Sequence, residues 1–355
     1  MKRLLSLMVV LVLTCSLIAC SNSDDKETSG DSKPAVENTK DSSADSATKV
    51  EEKKEVTESE DPIRVGVFFK DSTTMFWRYI ASGCQEKASE LGIEFIEYSP
   101  SSYTDSAGQM SMLEDAIESG IDAICIAAID STAVVDTLLK AEDAGIPVIV
   151  FNTLIPDFAA SGRQRTFIGI DNYTASYEVT DKILSEYNYE CNLVILEGTP
   201  ATQMNYDRTD PIYAIAEKNP GVNIVAVQPC YANRETAMTT MENILQTTKD
   251  IDVVWALNDP TALGALQAIE AENLDGIDIV SIDGTPEAAV AIMNGRGLKY
   301  TMDQAPFDMG ALAVQAAYDA IQGKTLEEKI FCGGTCIGPD NAKSHLETYY
   351  PDYKY

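Results

Sequence analysis

Short apolar runs alternate with helical patterns along most of this chain. Positions 63–69 (Ile-Arg-Val-Gly-Val-Phe-Phe) form a short run rich in β-branched and aromatic residues, which predicts a buried strand. The next segment spaces Phe76, Ile80, Cys84 and Ala88 along one face of a helix. The same reasoning predicts helices at 106–118 and 131–144 and strands at 93–98, 123–127, 147–151, 166–170, 193–196, 222–227, 253–256 and 277–282.

This alternation of strands and helices predicts an α/β fold with parallel sheets covered on both faces. The units are too numerous for one open sheet, so we expect two doubly wound lobes. The predicted lobes comprise residues 62–169 plus 305–330 and residues 170–304 plus 331–355. Three crossings, near 169–171, 303–306 and 330–334, would join them as a hinge.

The N-terminus predicts export and lipid anchoring. Lys2 and Arg3 precede an apolar run that reaches Ala19, as in a signal peptide covering residues 1–19. The ending Leu-Ile-Ala-Cys resembles a bacterial lipobox, so Cys20 is the predicted lipidation site. A membrane-spanning anchor is the alternative, but the run is barely long enough to cross a bilayer. Residues 20–61 contain few large apolar side chains and predict a disordered acidic tether. We therefore expect an extracytoplasmic protein anchored to the cell membrane.

Charge and composition exclude several classes of function. Of 355 residues, 56 are acidic and 26 basic, a net charge of −30 that repels nucleic acid. The single histidine, His345, lies in the C-terminal tail, and no nucleophile elbow, phosphate loop or metal-ligand cluster is recognisable. Asp259 and Asp283 could form a glycosidase-like pair, but the sequence does not define their separation. We predict no enzyme activity, no cofactor and no metal.

Polar side chains follow several of the predicted strands. Asn152 and Thr153, Asn258, Asp283 and Gln304 come after strands, and Arg208 ends a polar loop that follows the strand at 193–196. In doubly wound folds, ligands bind at the carboxyl ends of strands. Amide, carboxylate and guanidinium groups can each pair with adjacent hydroxyls, and an aromatic face can pack on a sugar ring. Each residue alone is explained more simply as a helix cap, whereas the shared position of all of them predicts a sugar-like ligand.

From Arg64 to about Lys324 the chain resembles the ribose/galactose-type periplasmic binding proteins, which share a fold (type I) with the ligand domains of lactose-repressor proteins. The resemblance rests on Asn-Asp-Pro-Thr-Ala-Leu-Gly-Ala-Leu at 258–266, Ile-Asp-Gly-Thr-Pro at 282–286, Asp-Gln-Ala-Pro at 303–306 and Ala-Gly-Ile-Pro-Val-Ile at 144–149. It implies that Asn258, Asp283, Gln304 and Arg208 bind sugar hydroxyls. It also implies that Phe76 and Trp77 contact the sugar ring.

The chain departs from the family pattern at several of these positions. Asn152-Thr153 replaces a common Asp-Arg pair, Thr74 replaces an Asn before the aromatics, and Ala127 replaces another Asn. For the aromatic contact of the second lobe, Tyr231 and Arg234 are both candidates. A pocket that hydrogen-bonds ligand hydroxyls discriminates strongly between ligands. Because several of its side chains differ here from the family pattern, ribose itself is not the expected ligand.

The resemblance implies a monomeric binding protein that closes over a sugar or polyol and delivers it to the permease of an ABC importer. Signalling to a membrane receptor is the alternative role, and a non-sugar polyol or a furanose-like signal molecule is the alternative ligand. The pair Cys332 and Cys336 could form a disulfide or bind a metal. A metal is not expected, because no second Cys or His pair lies nearby, and the sequence leaves open whether the disulfide forms.

Overall fold

The computed structural model describes residues 61–200 and 202–355. The predicted signal peptide, Cys20 and all of the tether except Asp61 lie outside the described residues. The strands are β1 (Arg64–Phe68), β2 (Glu94–Tyr98), β3 (Ala123–Ile126), β4 (Val148–Phe151), β5 (Thr166–Gly169), β6 (Cys191–Glu197), β7 (Val222–Pro229), β8 (Val253–Ala256), β9 (Asp278–Asp283), β10 (Leu298–Asp303), β11 (Lys329–Phe331) and β12 (Cys336–Ile337). The helices are α1 (Met75–Leu91), α2 (Ser106–Glu118), α3 (Val135–Asp143), α4 (Pro156–Ala160), α5 (Asn172–Glu186), α6 (Gln203–Lys218), α7 (Arg234–Thr247), α8 (Asp259–Ala271), α9 (Pro286–Met293), α10 (Pro306–Ile321) and α11 (Ala342–Tyr349).

Two sheets with the same internal order make up the body. The first runs β2-β1-β3-β4-β5-β11 and the second β7-β6-β8-β9-β10-β12. Each is a doubly wound sheet whose order reverses beside its first strand, between β1 and β3 in one lobe and between β6 and β8 in the other. The predicted fold class, two parallel-sheet α/β lobes, is confirmed.

The chain passes between the two sheets three times. It leaves β5 for α5, leaves β10 for α10, and runs from β11 through 332–335 to β12. The last crossing corrects the expectation of purely parallel sheets, because β12 pairs antiparallel with β10. A four-residue connection has no room for a crossover helix, so β12 must enter its sheet from the hinge side and run backwards.

Apolar side chains cover both faces of each sheet. Along β1, Val65 and Val67 face one core cluster and Phe68 faces another on the opposite side. All four residues of β4, Val-Ile-Val-Phe, are buried. This double burial explains why several strands lack the polar alternation of a half-exposed sheet.

The last part of the segment predicted as a polar loop, from Gln203 to Arg208, is instead helical. Helix α6 begins at Gln203, and the Thr202 hydroxyl accepts a hydrogen bond from the Asn205 N–H. Asn205, Arg208 and Thr209 are buried, so this helix directs polar side chains inward. Polar side chains therefore interrupt the apolar face of this helix, and the predicted loop ends at Thr202 instead of at Arg208.

All six cysteines in the described part of the chain are free thiols, Cys332 and Cys336 included. Within residues 61–200 and 202–355, no cluster of His, Cys, Asp and Glu side chains could hold a metal ion. A search of the same residues finds no helix that could span a membrane.

Helices α1 and α10 approach closely enough to require glycine on both sides. A Cβ on Gly310 would lie 2.0 Å from the Ile80 carbonyl oxygen, and one on Gly83 would lie 2.0 Å from the Phe307 carbonyl oxygen. Both obstacles are backbone atoms, which cannot rotate away. Since α10 follows the second crossing, this contact holds the returning chain on the first lobe.

Gly310→Ala should therefore lower the free energy of unfolding by about 1–3 kcal/mol, although the same change in an uncrowded helix stabilises by about 1 kcal/mol. Chemical denaturation measures the difference, and Ser82→Ala on the exposed side of α1 is the matched control. A Gly310→Ala protein as stable as wild type would show that the two helices separate without cost.

Candidate functional site

A buried cavity lies where the carboxyl ends of the two sheets face each other. The first lobe contributes residues that follow β1, β2 and β4 together with the start of α1. The second contributes residues from α6 and from the ends of β7, β8, β9 and β10. The lining is formed by Lys70, Phe76, Trp77, Tyr103, Asn152, Met204, Arg208, Ala232, Leu257, Asn258, Asp283 and Gln304.

Arg208 is the largest polar side chain in this cavity, and only 1% of its surface is exposed. Its Nε donates to Asn172 Oδ1 at 2.8 Å and its Nη1 donates to the Leu257 carbonyl oxygen at 2.9 Å. Nη1 also lies 3.9 Å from Asp283 Oδ1, whereas Nη2 has no hydrogen-bond partner among the described residues. Burial lowers the pKa of Arg208, and the Asp283 carboxylate partly reverses that shift.

Asp283 ends β9 with a backbone φ of 151°, a value that side-chain-bearing residues rarely adopt. Its Oδ1 accepts a hydrogen bond from Gln304 Nε2 at 2.7 Å. Burial raises the pKa of Asp283 well above its ordinary value, and the nearby Asp259 carboxylate raises it further. Asp283 and Gln304, both predicted to bind ligand, are thus hydrogen-bonded to each other beside Arg208.

Asn258 is both a helix cap and a cavity residue. Its Oδ1 accepts hydrogen bonds from the Thr261 N–H at 3.2 Å and the Thr261 hydroxyl at 2.7 Å, which caps α8. The two interpretations of this residue are therefore compatible, because the cap engages the amide oxygen and leaves the NH₂ group beside the cavity.

The glycosidase-like pair of Asp259 and Asp283 does not form. Asp259 is fully buried and accepts hydrogen bonds from the Ser281 and Thr301 hydroxyls at 2.5 and 2.6 Å. The backbone N–H and hydroxyl of Thr285 donate to its other oxygen. Asp259 does not line the cavity, and it acts as the hub that joins β9, β10 and the start of α9.

Lys70 is the main polar group that the sequence analysis missed in the first lobe. It is buried, and its Nζ donates to Thr153 Oγ1 at 2.5 Å. Thr153 Oγ1 in turn donates to Asn152 Oδ1 at 3.0 Å. Burial, followed by the positive charge of Arg208, lowers the pKa of Lys70 from 10.5 to about 7. A lysine in a predicted loop suggests a solvated side chain, and only the fold turns it inward.

Asn152 and Thr153 continue this network toward the second lobe. Asn152 has a φ of 61°, and its Nδ2 donates to Gln304 Oε1 at 3.4 Å. Hydrogen bonds therefore run without a break from Lys70 through Thr153, Asn152 and Gln304 to Asp283.

Three aromatic rings from the first lobe close one side of the cavity. Phe76 and Trp77 pack edge to face with centroids 5.2 Å apart, and both are almost fully buried. The Trp77 indole N–H donates to Tyr103 Oη at 2.5 Å. Trp77 also contacts Phe69 and Phe151, so it belongs to the core as well as to the cavity. Tyr103 is a second residue that the sequence analysis missed.

Thr74, Tyr231 and Arg234 lie outside this inner cavity, around an open cleft at its mouth. Arg234 Nη1 forms an ion pair with Glu287 Oε1 at 2.8 Å, and the Tyr231 side chain is 39% exposed. The Thr74 hydroxyl is buried and finds no hydrogen-bond partner in the described chain. From the second lobe the apolar lining consists of Met204, Ala232 and Leu257 instead of an aromatic ring. Ligand contact by Thr74, Tyr231 and Arg234 stays a prediction.

Strained backbone concentrates around the cavity. Among the described residues, eight other than glycine have positive φ, and five of them lie at the cavity or next to it: Asn152, Tyr231, Ala232, Asp283 and Ala305. Each costs on the order of 1–3 kcal/mol, which the surrounding fold must offset. Such a cluster is typical of a site where side-chain direction matters more than stability.

Two lobes of equal strand order, with a polar cavity between their carboxyl ends, define a type I periplasmic binding protein. The family described as "Periplasmic binding protein domain" matches residues 65–325. The ribose import binding protein of Bacillus subtilis is 30% identical over 266 residues, 75% of this chain and 84% of that protein. The galactofuranose-binding protein of Escherichia coli is 30% identical over 67% of this chain and 77% of its own length.

A solved structure of a solute-binding protein has the same fold. The ABC transporter solute-binding protein of Bacillus halodurans with bound myo-inositol superposes with a TM-score of 0.75 at 29% identity, covering 82% of this chain and all of that one. The chain belongs to the ribose/galactose-type family of periplasmic binding proteins, a family of solute-binding transport proteins rather than enzymes.

Lys70→Met should raise the free energy of unfolding by about 1–3 kcal/mol at pH 6.5, because an apolar side chain of similar length replaces a buried cation. Since the pKa of Lys70 is lower in the folded protein, the unfolded chain binds more protons between about pH 7 and 10.5. The contribution of Lys70 to the free energy of unfolding of the wild type therefore rises with pH. The difference in free energy of unfolding between Lys70→Met and the wild type becomes smaller as a result.

Chemical denaturation at pH 6.5 and 9.5 measures both effects, with Lys343→Met on the exposed face of α11 as the control. A Met variant that is less stable than wild type at pH 6.5 would show that the fold compensates the Lys70 charge.

Proposed function

We propose that this chain is an extracytoplasmic, lipid-anchored binding protein that captures a sugar or sugar-like ligand by hinge closure and delivers it to a membrane ABC importer. The observation that carries the proposal is the cavity itself, whose polar residues come from both lobes and are buried together. A ligand in this position contacts both walls, so its binding energy favours the closed arrangement over an open one.

A polyhydroxylated ligand fits the chemistry of the walls. Asp283, Arg208, Asn258 and Gln304 offer hydrogen-bonding groups in several directions, and Phe76 and Trp77 offer apolar ring surface. Relatives of this chain are named for binding ribose and galactofuranose, and a neighbouring structure holds myo-inositol. A thermal-shift screen of pentoses, hexoses, furanoses and polyols identifies the ligand, because one bound only by the folded state raises the melting temperature.

Delivery to an importer is favoured over signalling by the names of the relatives. One is an import binding protein and another is the solute-binding protein of an ABC transporter. We further propose that the protein is not catalytic, since Asp259, the natural partner for Asp283 in hydrolysis, is enclosed by hydroxyl donors away from the cavity. Recovery of unchanged ligand after denaturation of the complex tests this point.

Asp283→Asn should weaken binding of the ligand found in the screen by roughly 30-fold or more. The change keeps the shape of the side chain but removes a buried charged acceptor beside Arg208, which costs on the order of 2 kcal/mol or more. Titration calorimetry measures the dissociation constant. The exposed Asp340→Asn is the control for general effects of charge. Equal affinity of Asp283→Asn and wild type would contradict the assignment of the site.

Cys20→Ala should release the protein from membranes or leave its precursor uncleaved, because the predicted lipid is attached through the Cys20 thiol. Membrane fractionation and the mass of the mature N-terminus measure the outcome. Cys84→Ala in the buried core is the control for loss of a thiol elsewhere. Normal processing and normal membrane retention of Cys20→Ala would exclude lipid anchoring at this position.

A further inference from the structure

The hydrogen-bonding groups around the cavity are unequally engaged. Lys70 Nζ donates to a single acceptor, Thr153 Oγ1, although an ammonium carries three donors. Arg208 Nη2 is buried without a partner in the described residues. The Asn258 NH₂ group also remains, because its oxygen caps α8. The groups available to a ligand are thus mainly donors.

Four acceptors along the cavity wall, two from each lobe, are already engaged within the protein. Thr153 Oγ1 accepts from Lys70, and Asn152 Oδ1 accepts from Thr153. Gln304 Oε1 accepts from Asn152, and Asp283 Oδ1 accepts from Gln304. Every bond in this series donates in the same direction, from Lys70 toward Asp283. The Lys70 end therefore lies at the opposite end of this series from the Asp283 carboxylate.

Positively charged side chains also outnumber negatively charged ones in the cavity lining. Two cations line the cavity, Lys70 and Arg208, and Asp283 is the one carboxylate among its described lining residues. Two further buried acids lie near but are engaged elsewhere. Asp71 accepts from the Thr73 N–H and hydroxyl and from the Thr74 N–H. Asp259 accepts from residues of β9, β10 and the start of α9.

A neutral hydroxyl both donates and accepts, whereas a carboxylate or phosphate oxygen only accepts. We propose that the ligand of this protein carries an anionic oxygen group, as in a sugar acid or a sugar phosphate, and that Lys70 and Arg208 bind it. This inference rests on the proposed function and specifies the chemical class of the ligand. It separates this chain from the relatives whose names give neutral ligands.

Matched pairs of ligands test the proposal directly. Galactose is compared with galacturonate, ribose with ribonate, and ribose with ribose 5-phosphate, by titration calorimetry at pH 6.5. We expect the anionic member of at least one pair to bind roughly 30-fold or more tightly than its neutral partner. The uronate and aldonate arms distinguish a carboxylate ligand from a phosphate ligand.

The pH profile isolates Lys70. Between pH 7 and 9 the affinity for the anion should fall toward tenfold per pH unit, because the ligand binds the protonated amine, whose pKa is about 7. Arg208, Asp283, Tyr103 and the adjacent Asp71 are the other charged or titratable groups around it. Burial raises the pKa of Tyr103 above this range. Asp283 could contribute a similar slope, so the variant below is required.

Lys70→Met should abolish both the preference for the anion and the pH slope while keeping measurable binding of the neutral partner. Lys343→Met on the surface should retain wild-type behaviour, and a melting curve confirms that each variant is folded. If Lys70→Met keeps the slope or the preference, the proposal is wrong. If neutral sugars bind at least as tightly as their acids and phosphates, the ligand class is overturned while the proposed function stands. If none of the acids or phosphates binds, the ligand class is overturned, and the thermal-shift screen of neutral sugars and polyols then decides the proposed function separately.

Discussion

The structure depends on a single constraint, which is that buried polar groups at the ends of two facing sheets must satisfy one another. Parallel strands end with their polar loops on the same edge, and the equal strand order of the two lobes brings two such edges together. The chain of hydrogen bonds from Lys70 to Asp283 crosses that gap through Gln304, which stands at one of the three crossings of the hinge. Neither lobe alone can complete this chain.

The same constraint explains where the protein gives up stability. Among the described residues, Lys70 and Arg208 have fewer hydrogen-bond acceptors than they have buried donors, and Asn152 and Asp283 hold backbone angles that cost free energy. None of these features improves the core. Together they direct donors and one carboxylate into a shared space, as a binding site requires, whereas the regular interior of each lobe supplies the stability that offsets them.

The contrast between Asp259 and Asp283 shows how similar residues acquire different roles. Both are buried and both have a raised pKa. Asp259 is surrounded by hydroxyl and amide donors and joins neighbouring elements, whereas Asp283 accepts hydrogen bonds from Gln304 and from the Asp259 backbone and faces Arg208. The two carboxyl groups, whose separation the sequence left undefined, therefore have separate roles in the structure.

Local pattern was sufficient for much of the fold. The helix at 106–118 and the strand at 253–256 have the boundaries that periodicity and apolar runs predicted, because both depend on which residues face a core. The position of Asn258, Asp283 and Gln304 after strands could likewise be predicted, since the ends of strands follow from the strand pattern.

What the sequence could not reveal depends on contacts between distant segments. Lys70 meets a residue 83 positions away, and Arg208 meets one 36 positions away. The inward direction of α6 and the burial of Lys70 were decided by tertiary packing, because only the juxtaposition of the two lobes removes water from those side chains. The reversal of β12 was decided by the short third crossing between the sheets.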